Sequence, residues 1–191
     1  TRRSSATSHS STALMLGRPL LGEQLRDVRM VLTWLRRRQN VGFRPLAIWG
    51  ESLTPANPET APFRTPRDDD QALPAVSEPQ APLLAILAGV FEEDLDSIFT
   101  VGCLASWRSL LSSHLVLTAH DVLVPGALTT GEVSDMISVL PKETRLRMEA
   151  SVDGWNRIAT GDLLHSLREA HPLLSLDSER HGPAGLVLSS E

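Results

Sequence analysis

Three residues of this chain have the types needed to split an ester bond together: Ser52, Asp153 and His181. A serine hydroxyl attacks a carbonyl when an imidazole takes its proton, and a carboxylate holds that imidazole in the right tautomer. Ser52 lies in Gly50-Glu51-Ser52-Leu53-Thr54. Between a strand and a helix, the pattern G-x-S-x-G is the nucleophile elbow, a sharp turn that presents a serine at the end of a sheet strand. Here Thr54 stands in place of the last glycine and crowds the turn. An ordinary Gly-Glu-Ser turn accounts for the same residues without chemistry. Asp153 sits in Val152-Asp153-Gly154, and His181 in Arg180-His181-Gly182. The backbone N–H of Leu53, next after the serine, is the candidate oxyanion donor. His120, ahead of Pro125-Gly126, is the alternative base, although a solvated loop pair with Asp121 is the simpler account of it.

Other reactive groups point to less. Cys103 is the only cysteine, so no internal disulfide can form and a cysteine-based metal site is not expected. His165 and His171 do not share a helix face, and Asp68-Asp69-Asp70 lacks the other residues of a calcium loop. No metal and no cofactor is expected. Arg108 either pairs with a carboxylate near the site or caps a helix, and both readings stay open.

The elements that must position these residues follow from periodicity. Residues 1–13 are rich in Ser, Thr and Arg without a period, and are expected as a flexible arm. From Leu20 to Leu35, apolar residues recur at steps of three and four, which predicts an amphipathic helix. Arg36-Arg37-Arg38 falls in its last turn, where cations complement the helix dipole; a solvated helix end is preferred to a binding patch. Leu46–Trp49 is a short apolar run that suits a buried parallel strand. Residues 54–82 hold seven prolines and are expected as an irregular excursion, either a plain surface loop or a rim over the site beginning at Ser52. Leu83–Leu95 predicts an apolar helix and Ser97–Gly102 a second strand. A short helix is expected at Ala105–Leu111 and another at Thr130–Leu140. Thr144–Ser151 predicts a third strand, Thr160–Ala170 a helix and Pro172–Asp177 a fourth strand. Strands alternating with helices predict an α/β fold with a mostly parallel sheet flanked by helices. Ser52, Asp153 and His181 each follow a strand, where such sheets carry their sites.

The chain has 191 residues with 41% hydrophobic and 21% charged residues, a globular composition that suits one domain over residues 1–191. Its net charge is −5, and no large basic block follows the arginine run, so nucleic-acid binding is not suggested. No apolar run reaches the length of a membrane span. No signal peptide is visible after Thr1, and the compartment, cytoplasmic or secreted, stays open.

The order Ser, Asp, His after successive strands resembles the α/β-hydrolases. The resemblance is to the carboxyl-terminal part of the branch that includes acetylxylan esterases and dienelactone hydrolases of bacteria. The residues that carry it are Leu16–Gly22, the helix with Asp27, Trp49-Gly50-Glu51-Ser52, Ser106–Leu111 and Val152-Asp153-Gly154. It implies Ser52 as nucleophile, His181 as base and Asp153 as acid, acting on a small-molecule or carbohydrate ester. It also implies that the family's first strands, with the loop giving a second oxyanion N–H, lie before residue 1, in an amino-terminal domain of the same protein. Pro55 and Pro58 are expected to disturb the helix that normally follows the serine. A non-catalytic module of the same fold, serving binding or packing, is the alternative.

Overall fold

A computed structural model of the chain describes residues 4–38, 45–60, 74–112 and 116–181, with the side chains of residues 4–7 outside that description. The first element is helix α1, Ser4–Met15. This corrects the expectation of a flexible arm. Ser10 and Ala13 are buried, and α1 packs on a short 3-10 turn at His120–Val122. A face made of such small residues leaves no hydrophobic stripe for a period to reveal. Helix α2, Leu20–Arg37, forms where the three-and-four spacing predicts it.

Strand β1 is Leu46–Glu51, helix α3 is Gln80–Phe91 and strand β2 is Leu95–Val101. Helices α4, Ala127–Thr130, and α5, Val133–Ser138, lead to strand β3, Arg145–Glu149. Helix α6, Asp162–Ala170, and strand β4, Leu174–Asp177, follow. The predicted helix over Thr130–Leu140 is thus two pieces. It restarts at Glu132, whose side chain and that of Asp135 form a capping box. The short helix expected at Ala105–Leu111 is a 3-10 turn at Arg108–Leu111.

The four strands form one sheet in the order β1-β2-β3-β4, and every neighbouring pair is parallel. The parallel pairing expected of Leu46–Trp49, Ser97–Gly102 and Arg145–Ala150 is present. Right-handed crossovers in a sheet of this order bring the connecting helices to the same face. α3 packs on β1 and β2, α6 on β4, and α5 on α3 and α6. Ile86, Ile98, Ile137, Leu146, Met148 and Leu167 are buried where these elements meet. α2 lies outside α3, with Leu25, Val28 and Leu32 packed around Ala88 and Leu95. Gly50 lets α3 sit directly on β1: a Cβ there would run into the backbone of Ala81.

The opposite face is different. Trp49, Phe99, Arg147 and Ser175 stand in one row across the four strands. Trp49 meets Phe99 edge-on at 4.9 Å between ring centroids, and the Arg147 guanidinium lies 5.8 Å from the Phe99 centroid. Ala47 and Trp49 are exposed, so β1 is a half-exposed edge strand rather than the buried strand expected. The run of apolar residues concealed this, because strand burial also depends on which neighbours exist.

The proline-rich excursion ends sooner than expected. α3 begins at Gln80, with Pro79 before it and Pro82 in its first turn. First-turn N–H groups have no intrahelical acceptor, so proline costs nothing there. Residues 61–73 of the excursion lie outside the described residues.

Candidate functional site at the carboxyl end of the sheet

The ladder between β1 and β2 continues one residue past β1, where the Ser52 N–H donates to the Val101 carbonyl at 2.9 Å. Ser52 is 2% exposed, and its hydroxyl has no hydrogen-bond partner. It rests against Gly102, whose φ of +68° turns the chain away from β2; a Cβ on Gly102 would lie 2.9 Å from the Ser52 Cβ. Among the described residues, the non-glycine positions with positive φ are Ala150 and Asn156, so Ser52 does not adopt a left-handed backbone. No helix follows it among the described residues before Gln80. The sharp strand-to-helix turn expected here is therefore not formed in that way. Pro55 and Pro58 lie where the helix would have to run. Leu53, the candidate oxyanion donor, is 82% exposed.

Asp153 organises the loop after β3. Its Oδ1 accepts from the N–H groups of Trp155 at 2.8 Å and Arg157 at 2.9 Å. Its own N–H donates to the Arg157 carbonyl at 2.9 Å. A short-range Asp that bonds its own following backbone is the usual device for a tight loop.

His181 sits beyond β4. Its N–H donates to Glu149 Oε2 at 2.8 Å, and its Nε2 lies 2.9 Å from Asp177 Oδ2. The Glu179 N–H holds the Asp177 carboxyl below the usual range, with help from the His181 hydrogen bond, against the effect of partial desolvation. Glu149 is fully buried and takes Arg147 at 2.8 Å. Among the described residues, no hydrogen bond joins any two of Ser52, Asp153 and His181. His120, the alternative base, is engaged through Nδ1 with the Ser10 hydroxyl at 2.8 Å.

What does come together is the pair of loops that carry Ser52 and Asp153. Asn57 clamps them. Its N–H donates to the Asn156 carbonyl at 2.6 Å, and its Nδ2 donates to the carbonyls of Ala75 at 2.9 Å and Trp155 at 3.0 Å. Its Oδ1 accepts from the Ala75 N–H at 2.8 Å. Asn156 returns the contact, donating to the Pro55 carbonyl at 2.8 Å. Nothing in the spacing of Asn57 or Asn156 marked them. Register puts Glu51, Val101, Glu149 and Asp177 in one row across the ends of the four strands, so that three carboxylates share the carboxyl edge of the sheet.

The remaining candidates are accounted for structurally. Arg108 lies 3.8 Å from Glu132 Oε1, and the Arg108 N–H donates to the same oxygen. Cys103 is buried, and burial pushes its thiol far above the ordinary range. His171 is buried against the Pro141 carbonyl, and His165 faces Glu169. Among the described residues, no group of three or more His, Cys, Asp or Glu could hold a metal ion. No helix among them is long and apolar enough to cross a membrane.

The class of protein that these elements define is α/β, with a four-stranded, all-parallel sheet and flanking helices. In comparison with known proteins, no family model, no curated protein and no solved structure matches the chain.

Proposed function

We propose that this chain is an α/β-hydrolase-like module that works by binding or packing rather than by turnover. One observation carries this reading: among the described residues, no hydrogen bond joins any two members of the expected relay. The Ser52 hydroxyl is buried without a partner. The Asp153 carboxylate is held by its own loop, and the His181 imidazole by Asp177. A nucleophile needs its base within roughly 2.6–3.2 Å, somewhat looser without substrate. Fluorophosphonate labelling tests the reading. The expected result is no labelling that differs between the native chain and Ser52→Ala. Labelling lost in Ser52→Ala would overturn it.

A second reading is a serine carboxylester hydrolase, acting on acyl esters that include acetylated carbohydrate. Two observations favour it. An unsatisfied buried hydroxyl is costly and calls for a role, and Ser52 carries one at the carboxyl end of a parallel sheet. His181 Nε2 also lies 2.9 Å from Asp177 Oδ2, the spacing that the acid–imidazole half of a relay needs. In that reading Ser52 attacks the carbonyl, and His181 takes its proton and returns it to the leaving alcohol. Asp153, or Asp177 in its stead, holds the imidazole. Hydrolysis of p-nitrophenyl acetate that disappears in both Ser52→Ala and His181→Ala would favour this reading, and activity unchanged in Ser52→Ala would remove it.

A further inference from the structure

Helix α2 leaves the large apolar side chains of Met30, Val31 and Trp34 exposed. Of its eighteen residues only Leu21 and Leu32 are buried. A second stripe runs along its outer side: Arg26, Met30, Trp34 and Arg38 recur at every fourth residue, which aligns them on one face. Met30 is 57% and Trp34 53% exposed, and Phe91 at the end of α3 is 52% exposed. Arg26, Met30, Trp34, Arg37 and Phe91 line a groove of about 560 Å³ between α2 and the end of α3.

The charges around the groove are uneven. Arg29 and Arg36 are engaged by Glu92, and Arg36 also by Asp94. Arg37 and Arg38 form no ion pair among the described residues, and the Arg38 guanidinium lies 4.3 Å from the Trp34 ring centroid. Glu92 and Asp94 are thus already paired, while Arg37 and Arg38 have no carboxylate partner among the described residues, on a chain whose net charge is −5. Exposed Trp, Arg and Met side by side are the residue types that anchor protein interfaces.

We propose that this groove is the docking site for an amphipathic helix of a partner protein, one that sets carboxylates beside large apolar side chains. A shallow, open groove edged by Met30, Trp34 and Phe91 gives a helix laid along it apolar contacts, the mode of helix-in-groove recognition. The inference rests on α2 and α3 alone and stands whether or not Ser52 reacts.

The test uses a synthetic helix-forming peptide of Leu on one face and Glu on the other, and its Lys-for-Glu counterpart. It also uses vesicles of phosphatidylcholine with phosphatidylserine. Binding is read by calorimetry on the native chain, Trp34→Ala and Arg37→Glu, each first checked for an unchanged melting curve. The expected result is binding of the Glu peptide alone, weakened about tenfold in each variant and weakened by salt. No binding of the Glu peptide, or equal binding by all three proteins, would overturn the proposal. Recruitment to vesicles with the same sensitivity to both variants would assign the surface to lipid instead.

Discussion

Arg180 reaches from the far edge of the sheet to the near one: its guanidinium lies 3.4 Å from the Glu51 carboxylate. Glu51 ends β1 and Arg180 follows β4, the two outermost strands. Three interstrand steps separate those strands, about 14 Å. Between them the segment is held by His181 on Glu149 and on Asp177. It therefore runs as a strap along the carboxylate row at the end of the sheet.

The strap's two anchors should differ in strength. The Glu51–Arg180 pair is partly exposed, so Arg180→Ala should cost at most about 1 kcal/mol. Glu149 is fully buried and serves both Arg147 and the His181 N–H. Glu149→Ala should cost about 2–3 kcal/mol, because two part-buried donors, one of them a cation, lose their acceptor. Urea denaturation midpoints of the two variants check this; equal losses would mean the strap does not bear on Glu149.

Ser52 offers a prediction of the opposite sign. Its buried hydroxyl has no partner. Removing an unsatisfied polar group is neutral or stabilising. Ser52→Ala should therefore leave stability unchanged or raise it by about 1 kcal/mol. Thermal melts decide the matter, and a clear loss of stability would show that the hydroxyl is satisfied in solution.

Asn57→Ala should be among the costlier changes to an uncharged loop residue. It removes three side-chain hydrogen bonds that close the excursion at Ala75 and tie it to Trp155. At about 1 kcal/mol each, the loss is on the order of 3 kcal/mol. Hydrogen exchange should show the Ala75 amide protected in the native chain and released in the variant. An amide that exchanges freely in both would remove the clamp.

Acid should loosen α2 from α3. Burial alone would raise the Glu92 carboxyl, but hydrogen bonds from Arg29 and Arg36 outweigh it and hold the carboxyl below its usual value. A carboxyl with a depressed folded value contributes stability above its unfolded value, about 4.3. That contribution is lost as pH falls through the folded value. Melting temperatures of the native chain and Glu92→Gln should therefore converge as pH falls from 7 to 3. A constant gap between them would refute the linkage.

The sheet was legible in the sequence because apolar runs such as Ser97–Gly102 and the alternation in Arg145–Glu149 report strand burial directly. Helix α2 was legible for the same reason, with its period of 3.6. Helix α1 was not, since its packed face is Ser10 and Ala13. The edge position of β1 was not, because Trp49 looks the same in sequence whether or not a neighbour covers it. At the site, chain order placed Ser52, Asp153 and His181 after strands, yet order carries no distance. Asp177 and Glu149 took up His181, and backbone N–H groups took up Asp153. Those competitors are local partners that a pattern built on three residue types leaves out.

Strand order has a consequence for how the molecule assembles. Each strand pairs with its neighbour in sequence, so the ladder can grow from one strand to the next without waiting for a distant segment. Residue 180 stands opposite residue 51 only when the last strand has docked. The Glu51–Arg180 contact therefore exists only in the complete sheet and reports whether β4 is docked.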